Sequence, residues 1–542
     1  MAYLKIAVRE PEGEYYPKAL ADSVHLYYSE DGSSFEPLNQ NYGILFARAQ
    51  IRENNTLEVR GLTDPVFVEL EGGYGIAAEC VDGAGNRVAP DQVLLWTTED
   101  FIRFREHGLV ERKPWNCFRV LEISRELGEE IRRTWTPLHA VSVKLPDEIR
   151  ISSWEELEQI RARVCYSDGS ADEKRICWSR DSAVQEQDGI WRLEGRVDRP
   201  AFRFPLAGGY ADPVVFRWQG AWYFVSTDDN RNDIGIRVRK ADRVEGLFAE
   251  DVKEYCILDR DEGRDLIQTF WAPEFHVIGG AVYLLFAVGG KVWSPQAHMM
   301  KLKEGGSIIC REDWEEPVRV RRKDGGFLAE DGITLDMTYF SAAGKPWLVW
   351  SYRRGIGTKE DTGSMLYIAP ADDERPWQLA GEPVLLSRPL YAWENQGGTI
   401  NNEGPYALVL EDRVWLAFSG GDACGWSYAV GYLTADVGTD LSDPANWRKT
   451  PTPALSHYSV EETLGAGHNS FFRDEEGKIW IAYHGQKRDG SWGRCTAMHR
   501  VQINKAGFPV LNLCAERDLP EHMRRVEIKV CCPCPPDGNI ET

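Results

Sequence analysis

Basic residues are in short supply in this chain of 542 residues: 63 Lys and Arg stand against 85 Asp and Glu, a formal charge of −22. The deficit argues against nucleic acid as a partner, because neutralising phosphates takes clustered Lys and Arg. It argues against an anionic membrane surface for the same reason. Long apolar runs are missing too. None approaches the ~18 residues of a membrane span, and the stretch from Met1 to Glu10 lacks the hydrophobic segment of a secretory leader. The reading is therefore a cytoplasmic protein with no membrane or nucleic-acid partner and with its 12 cysteines reduced. These cysteines are scattered except for Cys531, Cys532 and Cys534, and no Cys or His pair at zinc-site spacing accompanies that trio.

Aromatic residues are plentiful, with 20 Trp, 20 Phe and 21 Tyr. Such a composition suits either flat rings that stack on sugars or large aromatic cores between sheets. The order of the residues is more informative than their number. Val214 to Trp218, a Gln219-Gly220 turn and Trp222 to Ser226 read as a β-hairpin. The same shape returns at Phe275–Phe286 around Gly279-Gly280, and around Ala343-Gly344 before Trp347 to Trp350. It returns again at Tyr406–Phe418 around Glu411-Asp412, and at Ser470–Tyr483 through Gly477.

Ahead of each hairpin stands a polar residue: Asp212, Glu274, Asp336, Glu403 and His468, at intervals of 62, 62, 67 and 65. A near-constant period with one antiparallel sheet per unit is the signature of a β-propeller. In a propeller the innermost strands line a central channel, so equivalent positions on them meet at one mouth. A single Asp or Glu there is ordinary turn chemistry; four acidic positions in phase predict a site.

The first 200 residues are β-rich as well. Asp64-Pro65-Val66-Phe67 echoes the Asp212 hairpin, but one such unit closes no ring, and Asp64 reads as structural. Residues 139–203 alternate as short strands and resemble an immunoglobulin-like module. The expectation is thus an all-β chain in which β-rich accessory modules precede a five-bladed β-propeller catalytic domain. Residues 1–125 form a propeller-like accessory module, and 126–203 a connector with the immunoglobulin-like module. The propeller takes 204–520, and 521–542 form a C-terminal strand and tail.

Five short motifs in register carry a resemblance. They are Ala211-Asp212-Pro213, Trp271-Ala272-Pro273-Glu274, Leu335-Asp336-Met337-Thr338, Asn402-Glu403-Gly404-Pro405 and Gly467-His468-Asn469-Ser470-Phe471. Together they resemble glycoside hydrolase family 43, five-bladed propeller arabinofuranosidases and xylosidases, with Ala466 standing where that family often has Pro. The resemblance implies that Asp212 is a general base activating water and Glu403 a general acid. Asp336, as an ionised neighbour, would raise the pKa of that acid. Such a pair suits an inverting hydrolase, whose two carboxyls stand roughly 6.5–9.5 Å apart to admit water.

It further implies that Trp271 is a sugar-stacking wall and that Arg494 reaches the pocket, with Glu274 a structural hydrogen-bond hub. His484 reads as a satisfied core histidine. No cofactor is expected for the chemistry. The position of His468 faces the channel, where a structural calcium is expected to rest mainly on waters, since calcium prefers oxygen ligands. The expected activity is exo-acting release of terminal α-L-arabinofuranosyl groups from plant cell-wall oligosaccharides, fragments of arabinoxylan or arabinan. β-Xylosidase activity on the same residues and a non-catalytic sugar-binding propeller stand as alternatives. A fructan-type hydrolase is disfavoured by the absence of an Asn-Asp-Pro-Asn opening.

Overall fold

The computed structural model of the chain describes residues 1–187, 189–199, 202–396, 400–490 and 493–536. They are mostly β-strand, and among them no helix is long and apolar enough to cross a membrane. The chain divides into two compact units: Met1–Trp135 with Arg203–Met498, and Thr136–Phe202 with His499–Thr542.

In the first unit, four consecutive antiparallel sheets of four strands open with Tyr210–Trp218, Gln268–Ile278, Ile333–Ala342 and Glu403–Val409. A further sheet opens with Thr463–Arg473, continues through Ile479–Lys487 and Cys495–Ile503, and takes the short strand Ala207–Gly208 beside the last of these. The hairpins form where the sequence places them. Gln219-Gly220, Gly279-Gly280 and Ala343-Gly344 each have positive φ at both turn residues, the geometry that follows the right-handed twist of the flanking strands. Side chains alternate into cores between successive sheets, and Trp222, Trp347, Trp350, Trp415 and Trp480 are all buried there. Most of the abundant Trp is therefore packing, worth roughly 1.5–3 kcal/mol for each large apolar side chain buried.

Every opening strand carries the same defect. Pairing with the next strand slips between Ala211 and Val214, Trp271 and Glu274, Leu335 and Thr338, Glu403 and Tyr406, and Gly467 and Ser470. At each slip one residue turns left-handed: Asp212 (φ 52°), Ala272 (48°), Asp336 (54°), Gly404 (54°) and His468 (47°). These are β-bulges, which re-aim a side chain out of the ladder. Four of the five are not glycine, so each strains the backbone by about 1–2 kcal/mol. The structural period is thus 60, 64, 68 and 64 residues. Ala272 and Gly404, not Glu274 and Glu403, are equivalent to Asp212.

Residues 1–135 pack two further sheets and the helix Arg125–Trp135 around one core that includes Leu4, Leu26, Phe67, Trp96 and Ile131. Arg60–Leu70 repeats the bulge at Asp64 (φ 48°), whose carboxylate pairs with Arg119 at 2.5 Å. Tyr16, Leu20, Tyr42 and Phe46 share a second core with Phe340, Trp393 and Phe418.

The second unit is built on a sheet whose Ile190–Val197 strand pairs along its whole length with the C-terminal Arg525–Cys531. Within it a buried cluster joins Tyr166, Asp518, Lys174, Asp172 and Arg500, with Tyr166 donating to Asp518 at 2.6 Å. The contiguous limits 126–203, 204–520 and 521–542 are corrected accordingly. The helix after Ser124 belongs with the N-terminal sheets, and residues from His499 onward join 136–202. Pairing across more than 300 residues leaves no local trace in the sequence. Residues 537–542 of the expected tail lie outside the described residues.

Candidate active site

The bulges gather polar side chains, and bonds between neighbouring sheets fix them. Thr227 donates to Asp212 Oδ2 at 2.6 Å and accepts the Ala272 N–H at 2.8 Å, linking the first sheet to the second. Gly404 N–H donates to Asp336 Oδ2 at 3.0 Å, linking the third to the fourth. His468 N–H donates to Ser419 Oγ at 2.7 Å, and Ser470 Oγ donates to the Pro213 carbonyl at 2.7 Å. These last two connect the fourth sheet to the fifth and the fifth to the first.

Asp212 is 4% exposed. Its Oδ1 is buried and lies 3.2 Å from His468 Nδ1, 3.0 Å from His484 Nδ1 and 3.5 Å from the Arg494 guanidinium. His484 Nδ1 also meets the Asp212 backbone N–H at 3.2 Å, while Nε2 faces the Ala423 carbonyl at 3.0 Å. Burial opposes ionisation of Asp212, but His468 and Arg494 outweigh it and hold the carboxyl well below the usual carboxylate range. Burial pulls His468 itself down to about 4, so near neutral pH the lasting positive charge is Arg494. That arginine is clamped by Asp229 through two bonds of 3.0 and 2.5 Å.

The opposite environment surrounds Glu403. Burial pushes it up to about 7, against hydrogen bonds from Tyr428 (3.1 Å, to Oε1) and Ser364 (3.4 Å, to Oε2). Asp336, 4% exposed, is raised well above the carboxylate range by burial first, then by Glu403 and Asp212. An ionised Asp336 is therefore not what the surroundings favour. The two acids titrate as a pair that retains a proton near neutrality.

Trp271 donates its indole N–H to Asp233 at 2.7 Å and packs against Ala287, Ile333 and Leu335. Glu274 is buried and holds His276 at 2.7 Å. Two residues at the centre of this arrangement escape a reading of the sequence. His484, read as a core histidine, is buried but lies directly against Asp212. Register could have found it, since it stands opposite Gly467 across the fifth hairpin. Tyr428, which holds Glu403 and stacks on His484 at 5.2 Å, comes from a third strand's approach and carries no such signal.

Gly467 is the cradle for that ring. A Cβ there would lie 2.2 Å from Tyr428 Cδ1, and His484 blocks retreat on the stacked side. Gly467→Ala is expected to cost about 1–3 kcal/mol by overpacking and to lower activity by displacing the Tyr428 hydroxyl from Glu403. Urea unfolding together with assay of the purified variant measures both. An unchanged midpoint with full activity would contradict this packing.

The donor set does not fit a directly liganded calcium. Among the described residues no three His, Cys, Asp or Glu side chains are grouped to hold a metal. His468 supplies nitrogen, and its Nδ1 faces Asp212.

The family model for glycosyl hydrolases family 43 matches residues 202–509. The chain belongs to that family. It is a glycoside hydrolase, and the matched stretch contains every residue of the site just described. Two curated relatives are named extracellular exo-α-(1→5)-L-arabinofuranosidases. The one from Streptomyces chartreusis is 33% identical over 63% of this chain and 96% of its own length. The one from Streptomyces avermitilis is 30% identical over 57% of this chain and 62% of its own length. A crystal structure of an α-L-arabinofuranosidase from Lactobacillus brevis is 27% identical, with a TM-score of 0.49, covering 57% of this glycoside hydrolase and 95% of that chain. The cytoplasmic expectation is corrected by these comparisons, since both Streptomyces enzymes are named as extracellular. It had rested on a missing apolar run, which carries no such information.

Proposed function

We propose that this glycoside hydrolase is an exo-acting, inverting α-L-arabinofuranosidase that removes terminal arabinofuranosyl groups from arabinan or arabinoxylan fragments. One observation carries the assignment of roles: two carboxyls of one site are driven in opposite directions. Asp212 stays ionised, the state in which a carboxylate takes a proton from water. Glu403, raised to about 7, keeps a proton to deliver.

In the reaction, Asp212 takes a proton from water as the water oxygen bonds to the anomeric carbon. The bond to the leaving oxygen breaks as Glu403 gives that oxygen its proton. Thr227 and the Asp212 backbone N–H, held by His484, keep the base aimed. Asp336 shares its proton economy with Glu403 and fixes the Gly404 amide beside it. Trp271 offers a ring face to the sugar, and Arg494 steadies the charge of the base. No cofactor enters these steps. The five bulged sheets, each bonded to a neighbour, support reading residues 204–498 as a five-bladed propeller, and the alternating strands of residues 139–197 support an immunoglobulin-like module. The names of the Streptomyces relatives favour arabinose over xylose.

Proton NMR of the first sugar released from linear arabinotriose tests the proposal. The expected product is β-arabinofuranose, formed with inversion. Release of the α anomer, or turnover of xylobiose alone, would overturn it.

A further inference from the structure

Tyr15 lies far outside the stretch matched by the family, yet its ring reaches loops within that stretch. It packs edge-to-face on Trp426 with centroids 5.7 Å apart, and His457 completes the cluster at 6.2 Å from Tyr15 and 5.1 Å from Trp426. The segment is firmly seated. His457 Nε2 lies 3.1 Å from the Tyr15 carbonyl. The next residue, Tyr16, is fully buried, with the rings of Tyr42 and Tyr458 at 5.6 and 5.4 Å and the Arg9 guanidinium 4.2 Å above it.

Trp426 belongs to the loop that leads into Tyr428, the residue that donates to Glu403. The same loop offers the Ala423 carbonyl to His484, and the Trp426 carbonyl accepts the Gly465 N–H at 3.1 Å. It is therefore tied to both the acid and the base. Tyr15 and Trp426 nevertheless remain only half-buried. Large rings left partly open on the loop that leads to the acid's tyrosine are surfaces for a ligand with an apolar face.

The chemistry says which part of the ligand lies there. The leaving oxygen must sit against Glu403, so the sugar that carries it extends along the acid's side of the pocket. A furanose or pyranose ring presents a C–H face that packs on an aromatic ring. We infer that Tyr15 and Trp426 form a leaving-group subsite on which the penultimate sugar of the substrate stacks. The N-terminal module thereby takes part in substrate selection. This rests on the proposed function, specifically on Glu403 as the acid.

The test uses the full chain and two substrates: linear arabinotriose, and α-L-arabinofuranosyl fluoride, whose leaving group has no ring. For Tyr15→Ala, kcat/KM on the triose is expected to fall about fivefold to tenfold more than on the fluoride, mainly through KM, the size of one aromatic stacking contact. Tyr15→Phe, which keeps the ring, should restore the triose rate to within about twofold. Exposed Glu14→Ala serves as the neighbouring control. Equal losses on the two substrates would mean that Tyr15 only supports the fold, and an unchanged triose rate would mean that no sugar reaches it; either overturns the inference. Turnover of both substrates by the unmutated chain is scored first, and its absence overturns the proposed function itself.

Discussion

Asp212→Asn is expected to lower kcat on arabino-oligosaccharides by about 10³–10⁴-fold while the protein stays folded. The size follows from the loss of general-base catalysis, worth roughly 10²–10⁴-fold, with the charge opposite Arg494 lost as well. The fold should persist, because the Asn side-chain carbonyl can still accept from Thr227, the backbone N–H of position 212 still reaches His484, and Arg494 keeps its two bonds to Asp229. Steady-state rates and thermal unfolding on one preparation decide the matter. A variant that retains a tenth of the wild-type rate would remove Asp212 from the reaction.

Glu403→Gln should show a different pattern, one that depends on the leaving group. On arabinotriose, whose departing sugar needs a proton, kcat is expected to fall about 10²–10⁴-fold. On the fluoride, which departs with little help, the loss should be far smaller. The pH profile supplies an independent reading. Glu403 works in its protonated form and is raised to about 7, so wild-type kcat/KM should decline as pH rises through about 7. Asp212 works ionised and is held below the usual range, so no acidic limb from it appears near neutrality. In Glu403→Gln the alkaline decline should vanish. Equal losses on both substrates, or an alkaline limb unmoved by the substitution, would reassign the acid.

The catalytic sheets were legible because their signals are local. Two-residue turns, alternating aromatic and branched residues, and a period near 64 residues recur along the chain. Asp212, Asp336 and Glu403 could be named from these signals and from the motifs around them. The phase was less legible. Glu274 and Glu403 looked equivalent to Asp212, whereas the bulges align Asp212 with Ala272 and Gly404. A bulge shifts the count by a residue without changing composition, so spacing alone cannot register it. The domain limits failed for a related reason: the strand that completes the second unit arrives from the far end of the chain.

What remained for tertiary structure was the electrical character of the site and its membership. The acid excess noticed at the outset says nothing about which carboxyl is ionised. Asp212 is held low by His468 and Arg494, from the fifth sheet, while burial lifts Glu403 and Asp336. Tyr428, His484 and Tyr15 entered only once sheets and modules had packed together. The sequence by itself determined strands, turns and their repeat, because each depends on residues a few positions apart. Proton affinity and substrate contact depend on distances between groups hundreds of residues apart, and only the packed chain sets those distances.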